Sequence, residues 1–280
     1  MEIVAYVANA LLYGALAIYF WRTRWGPASA PAGGAACEAT AAIPRARENY
    51  AVLVPLAMHG WLLGGSLFAT DGLHLGVANA LSAILWLTVL IYWLGNFFYR
   101  LDGLQALVLP LAAAAVLLPA LTPPTAALPN TALLAFKAHL LISMLAYSLF
   151  TIASLHVLLM ALLERRLHDG TVTQVLQKLP PLLTMEALLF RIIWAGFVLL
   201  TLTLATGVIF SEEVFGKPAQ FSHKTVFGLL SWLIFAALLA GRQVYGWRGR
   251  MAVRWTLAGF LTLVLAYIGS KFVLEVLLGR

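Results

Sequence analysis

Apolar positions along this chain come in long blocks separated by short polar breaks, and the blocks set the elements. They cover 3–21, 50–69, 75–99, 104–121, 132–163, 187–211, 225–241 and 254–277. Most approach the length that crosses a hydrocarbon layer of about 30 Å at about 1.5 Å per residue. Backbone N–H and C=O groups in lipid find partners only within their own segment or in a closed barrel, so the blocks predict eight helices. The fourth block, Ala-rich and holding Pro110 and Pro119, predicts a kinked or short span.

Composition agrees. The 280 residues are 62% hydrophobic and 10% charged, with a mean hydropathy of +0.91, whereas soluble domains carry roughly 25% charged residues. A soluble fold of this size has too little interior to hide that much apolar surface. The expected class is an all-α integral membrane protein, a polytopic bundle of about eight transmembrane helices. It reads as a single membrane domain: a first helix and flexible inner loop over 1–49, helices two to five over 50–163, an inner interfacial linker over 164–186, and helices six to eight over 187–280.

The formal net charge is +7, and its placement carries orientation. With the N-terminus outside, thirteen of the 18 Lys and Arg residues fall inside, leaving Lys137, Lys217, Lys224, Lys271 and Arg280 outside. Acidic residues divide nearly evenly. The reading is N-out and C-out, and no nucleic-acid partner is needed to explain the basic balance. Arg22 and Arg24 follow the first apolar block instead of preceding it, which favours an uncleaved first span over a signal peptide. Cys37, the single cysteine, lies in the first inner loop and excludes an intramolecular disulfide or a CxxC pair; it reads as a bystander thiol. P-loop, GxGxxG and HExxH motifs are absent, so nucleotide hydrolysis and zinc proteolysis find no support. No catalytic residue is assigned, and the chain is expected not to be an enzyme.

Six histidines are the main chemical inventory. His168 falls on the inner loop and reads as solvated. His59, mid-span beside Gly60, Gly64 and Gly65, and His156 read first as hydrogen-bonded packing residues, with a ligand or proton-relay role open beside that for His59. His74, His139 and His223 open the third, fifth and seventh helices, all on the outer face. Imidazole is a common haem-iron ligand, and Lys137 and Lys224 stand beside two of the three where they would meet ligand carboxylates. Helix ends at a membrane interface are also ordinary places for His, Lys and Trp, so an interfacial reading stays open beside the ligating one. The tryptophans, Trp232 among them, fit interfacial belts, packing or porphyrin stacking equally well.

"SHKTVFGLLSWLIFAALLAGR", residues 222–242, resembles the segment after the tryptophan-rich motif of cytochrome c assembly proteins of the CcsA type, matching at Lys224, Leu229, Trp232, Leu233, Ile234 and Phe235. "HLGVANALSAILW" resembles that family's H-x-P-x-S-N segment at His74 and Asn79. "HLLISMLAYSLFTIASLHVLLM" resembles the helix that begins with its outer haem-ligating histidine, here His139. With its "YWLGNFFY" and "YIGSKFVLEVLL" pieces, the chain as a whole resembles the HemX/YpjD-like branch of that family. The family's tryptophan-rich outer loop is replaced by "SEEVFGKPAQF", and Ala240 stands where the family has a histidine. His223 occupies the family's proline position, so it enters on chemistry and not on the resemblance.

The resemblance implies a haem-binding protein of the bacterial inner membrane that assists cytochrome c biogenesis, with haem b as cofactor, and with lipid, haem and cytochrome-assembly or other membrane proteins as partners. The expected site is His139 and His223 as axial ligands, His74 as substitute ligand, Lys137 and Lys224 at the propionates, and Trp232. Two other functions stand beside it: a scaffold or regulator of haem biosynthesis or of a membrane partner that binds no haem, and a small-solute transporter. The apolar cores of the helices hold almost none of the charges a transporter would line its path with.

Overall fold

A computed structural model describes residues 2–25, 45–69, 72–99, 101, 103–123, 131, 133–168, 181–210 and 223–269. Among them are eight α-helices: α1 (Glu2–Phe20), α2 (Arg45–Leu67), α3 (Val77–Gly95), α4 (Gln105–Leu121), α5 (Leu134–His168), α6 (Leu182–Ile209), α7 (His223–Tyr245) and α8 (Arg250–Val264). A π-helical turn extends α1 to Trp25 and another extends α8 to Gly269. A minimal antiparallel hairpin, β1 (Phe68–Ala69) and β2 (Gly72–Leu73), links α2 to α3.

Each of the eight apolar blocks becomes a helix, and the protein is an all-α polytopic membrane protein. Six of the described helices are long and apolar enough to cross a membrane: α1, α2, α3, α5, α6 and α7. α4, at 17 residues, is apolar but shorter. Helices outrun their apolar blocks at several ends. α5 continues through Glu164, Arg165 and on to His168, and α6 already begins at Leu182, because the helical hydrogen-bond ladder does not stop where lipid does. His168 thus belongs to a helix end. The stretch between these helices, 169–180, lies outside the described residues, as does Cys37.

The helices form two groups. In the first, α1 packs on α4 and α2, and α3 packs on α4 and α2. Its interior is polar at one level. His59 Nε2 lies 2.9 Å from Ser82 Oγ, and the buried Tyr13 ring meets the imidazole edge-on at 5.8 Å. With its amide oriented as its neighbours require, Asn9 donates to Pro55 O at 3.1 Å and accepts from the His59 backbone N–H at 3.0 Å. The α1 side chain thereby stands in for one rung of the α2 ladder at Pro55. His59 is the packing histidine its glycine-rich setting predicts.

In the second group α5 packs on α6, α6 on α7, α7 on α8, and α8 back on α5. α5 and α7 are therefore diagonal. Phe150 of α5 and Phe235 of α7 stack across the middle, centroids 3.9 Å apart, both with no exposed surface. The flanking helices supply glycine where these rings need room: a Cβ on Gly259 would stand 2.8 Å from the Phe235 ring, and one on Gly196 3.1 Å from the Phe150 ring. Lipid tails are as apolar as leucine, so helices in a membrane associate through such close packing and through interhelical hydrogen bonds. Ser231 Oγ donates one across the same seam, to Gly259 O at 2.9 Å. The two groups meet where α3 packs on α5, with Ser148 Oγ donating to Ile84 O at 3.0 Å.

Candidate functional site

The ends of the second bundle differ in chemistry. One end gathers the start of α5, the end of α6, the start of α7 and the turn after α8. His139, in the second turn of α5, is half-buried, and its Nδ1 lies 2.9 Å from Thr206 Oγ1 on α6. Thr206 sends its own hydroxyl hydrogen to Leu202 O at 2.7 Å, so its oxygen is left to accept from imidazole Nδ1–H. Neutral His139 then carries its lone pair on Nε2, the kind of nitrogen that ligates metals. The ring rests on the α6 backbone, its Cε1 3.3 Å from where a Gly207 Cβ would be.

His74 does not open α3, which starts at Val77, but sits in the turn after β2. Its N–H donates to Leu67 O at 2.8 Å, and its carbonyl accepts from Asn79 Nδ2 at 2.7 Å. The adjoining Leu73 packs with Phe136 of α5, together with Leu140 and Phe210. That small apolar cluster draws the His74 turn against the α5 start that carries the exposed Lys137 and His139.

His223 and Lys224 form the exposed first turn of α7. Lys224 Nζ stands 6.0 Å above the Tyr267 ring, Tyr267 meets Tyr147 of α5 edge-on at 6.2 Å, and Tyr147 OH donates to Leu263 O at 3.0 Å. His139, Thr206, Lys224 and Tyr267 thus bring four different elements to the same end of the bundle, here called its mouth. His139 and His223, the expected ligand pair, stand at diagonal corners, with α6 and α8 between them. Trp232 lies about 13 Å further along α7 than His223. Its Nε1 donates to Thr201 Oγ1 at 2.9 Å and its ring stacks on Phe197 at 5.4 Å, so it packs α7 on α6, away from the mouth.

The opposite end holds a charged cluster that the sequence did not single out. Glu186, nearly buried near the start of α6, receives Arg242 Nη1 of α7 at 2.6 Å and stands 3.6 Å from Arg248 Nε. Arg242 also lies 4.7 Å over the Phe190 ring. The α7–α8 turn that presents Arg248 needs left-handed backbone at Gly246 and Gly249, with φ of 66° and 53°. His156 Nε2 donates to Met185 O at 3.0 Å and ties the start of α6 to α5, the packing role expected of it. Glu186 looked like a linker residue; the available signal was a lone acid and a lone arginine bounding two apolar blocks. Among the described residues no three or more His, Cys, Asp or Glu side chains gather as a metal site.

The sequence model of the Cytochrome C assembly protein family matches residues 49–278. Inner membrane protein YpjD of Escherichia coli K12 is 34% identical over 139 residues, 50% of this chain and 52% of that protein. An uncharacterized 28.8 kDa protein from the nifR3-like 5' region of Azospirillum brasilense is 36% identical over 141 residues, 50% of this chain and 52% of that protein. Cytochrome c biogenesis protein CcsA of Prochlorococcus marinus (strain MIT 9515) is 38% identical over 88 residues, 31% of this chain and 28% of that protein. The chain spans about half the length of the first of these curated relatives. No solved structure matches.

Proposed function

The chain belongs to the cytochrome C assembly protein family, and from that premise we propose that it serves cytochrome c biogenesis in the bacterial inner membrane by holding haem b at the mouth of the α5–α8 bundle. The observation that carries this reading is the His139–Thr206 pair. A haem-ligating imidazole usually has its second nitrogen engaged by a hydrogen bond that fixes tautomer and ring orientation, and Thr206 supplies that bond here. His139 is the imidazole that would hold the haem iron, and His223, across the diagonal, or His74, beside the α5 start, would offer a second. Lys137 and Lys224 are cations at the interface, suited to propionate carboxylates. Bound haem would supply the iron porphyrin that c-type cytochromes carry covalently; the residues named here bind and orient it.

The mouth faces outward in this reading, because Arg165, Arg242, Arg248, Arg250 and Arg254 all lie toward the other end, and basic residues stay on the cytoplasmic side. The test is deletion of the gene in its host, followed by haem staining of covalently haemylated proteins in membranes. Loss of stained c-type cytochromes with unchanged b-type haem is expected. Unchanged c-type cytochromes with altered total haem would replace this reading with a regulator of haem synthesis.

A further inference from the structure

At the inner end, the outward face of α6 and the turn after α3 flank an open hollow of about 430 Å³, lined by Phe98, Tyr99, Thr184, Met185, Leu188 and Arg191 among others. Thr184, Leu188 and Arg191 recur at helical spacing on one face of α6, opposite the face that Leu189, Ile193 and Gly196 bury. Phe98 is 81% exposed and Tyr99 45%, so both rings project as walls. The cavity floor is fixed: Met185 O accepts from His156, and Glu186, the next residue, is committed to Arg242 and Arg248.

Arg191 is what this arrangement leaves over. It is exposed and, among the described residues, has no carboxylate or other hydrogen-bonding partner. It lies about 7.5 Å along α6 from the Glu186 level, within the helix Leu182–Ile209 that is long and apolar enough to cross a membrane. An unpaired guanidinium at that depth marks a functional position, and a basic pocket between membrane helices on the cytoplasmic side suits an anionic lipid headgroup.

We propose that this cavity is a binding site for an anionic phospholipid of the inner leaflet, its phosphate paired with Arg191 and its glycerol and upper acyl segments lying against Phe98, Tyr99 and Leu188. A phosphate accepts two parallel N–H bonds from a guanidinium, and the aromatic walls give the apolar segments a rigid surface. The shallow shape fits the headgroup-proximal part of a lipid whose tails stay in the bilayer. Nothing in this site depends on haem or on His139.

The test is native mass spectrometry of the full chain released from nanodiscs containing equal parts phosphatidylglycerol and phosphatidylcholine. Wild type is expected to retain phosphatidylglycerol preferentially. Arg191→Gln is expected to lower that retention about five-fold, the factor that corresponds to about 1 kcal/mol per arginine near the membrane surface. Ala187→Trp, which fills the cavity from an exposed position and keeps the charge, is expected to lower it as well. Arg254→Gln, an exposed arginine on α8, serves as the control for net charge. Equal retention of the two lipids by wild type, or an Arg191→Gln loss no larger than that of Arg254→Gln, overturns the proposal.

Discussion

At the residue scale, His139 is held by a threonine 67 positions away. Thr206 has one hydroxyl hydrogen, and Leu202 O takes it. Thr206→Val removes the acceptor, so imidazole Nδ1 loses its partner. The expected cost is about 1 kcal/mol in unfolding and a fall in haem affinity of about ten-fold, read by thermal unfolding and by titrating haem against the Soret band. Glu186 is the second decisive residue. Glu186→Gln leaves Arg242, whose side chain is 25% exposed, without its carboxylate. A loss of about 2–3 kcal/mol in detergent is expected, below the cost for a fully dry pair because water reaches the arginine. His139 and the two lysines stand near the helix starts the apolar blocks predict, whereas His74 does not, because its helix begins only at Val77. Thr206 and Glu186 were not legible in the sequence, since their meaning comes from partners on other helices.

At the element scale, the apolar blocks located the helices because lipid leaves the backbone no other solution. The block 104–121 returns as Gln105–Leu121, its ends marked by a glycine and a threonine. At about 25 Å, α4 is short for the hydrocarbon layer, so the orientation of everything after it rests on its crossing. A reporter active only in the cytoplasm should work when inserted within 165–185 and stay silent when fused after Arg280. An active C-terminal fusion would remove one crossing. Block ends at polar residues were less legible: α5 runs on to His168 because Glu164 and Arg165 remain good helix formers in water. Between elements, α7 and α8 meet through Gly259. Gly259→Val drives methyl groups into the Phe235 ring, which is already stacked on Phe150. The expected cost is about 1–3 kcal/mol, measurable as a lowered melting temperature.

For the whole molecule, sequence order located eight helices among the described residues and put His139 and His223 near the starts of two of them. It did not give neighbours. That α5 and α7 are diagonal follows from the Phe150–Phe235 stack and the two glycines beside it, and no periodicity within one helix encodes such a pairing. The consequence for function is specific: His139 is held by α6, and any second ligand reaches the iron from across the mouth or from the His74 turn. The central claim is that this mouth holds haem through His139. The most direct measurement is the visible absorption spectrum of the detergent-purified full chain expressed with haem supplied, compared with His139→Ala. The account predicts a Soret band in the wild type that is abolished or shifted in His139→Ala, with Lys224→Ala weakening haem retention only modestly. A wild type without haem, or a spectrum that His139→Ala leaves unchanged, would contradict it.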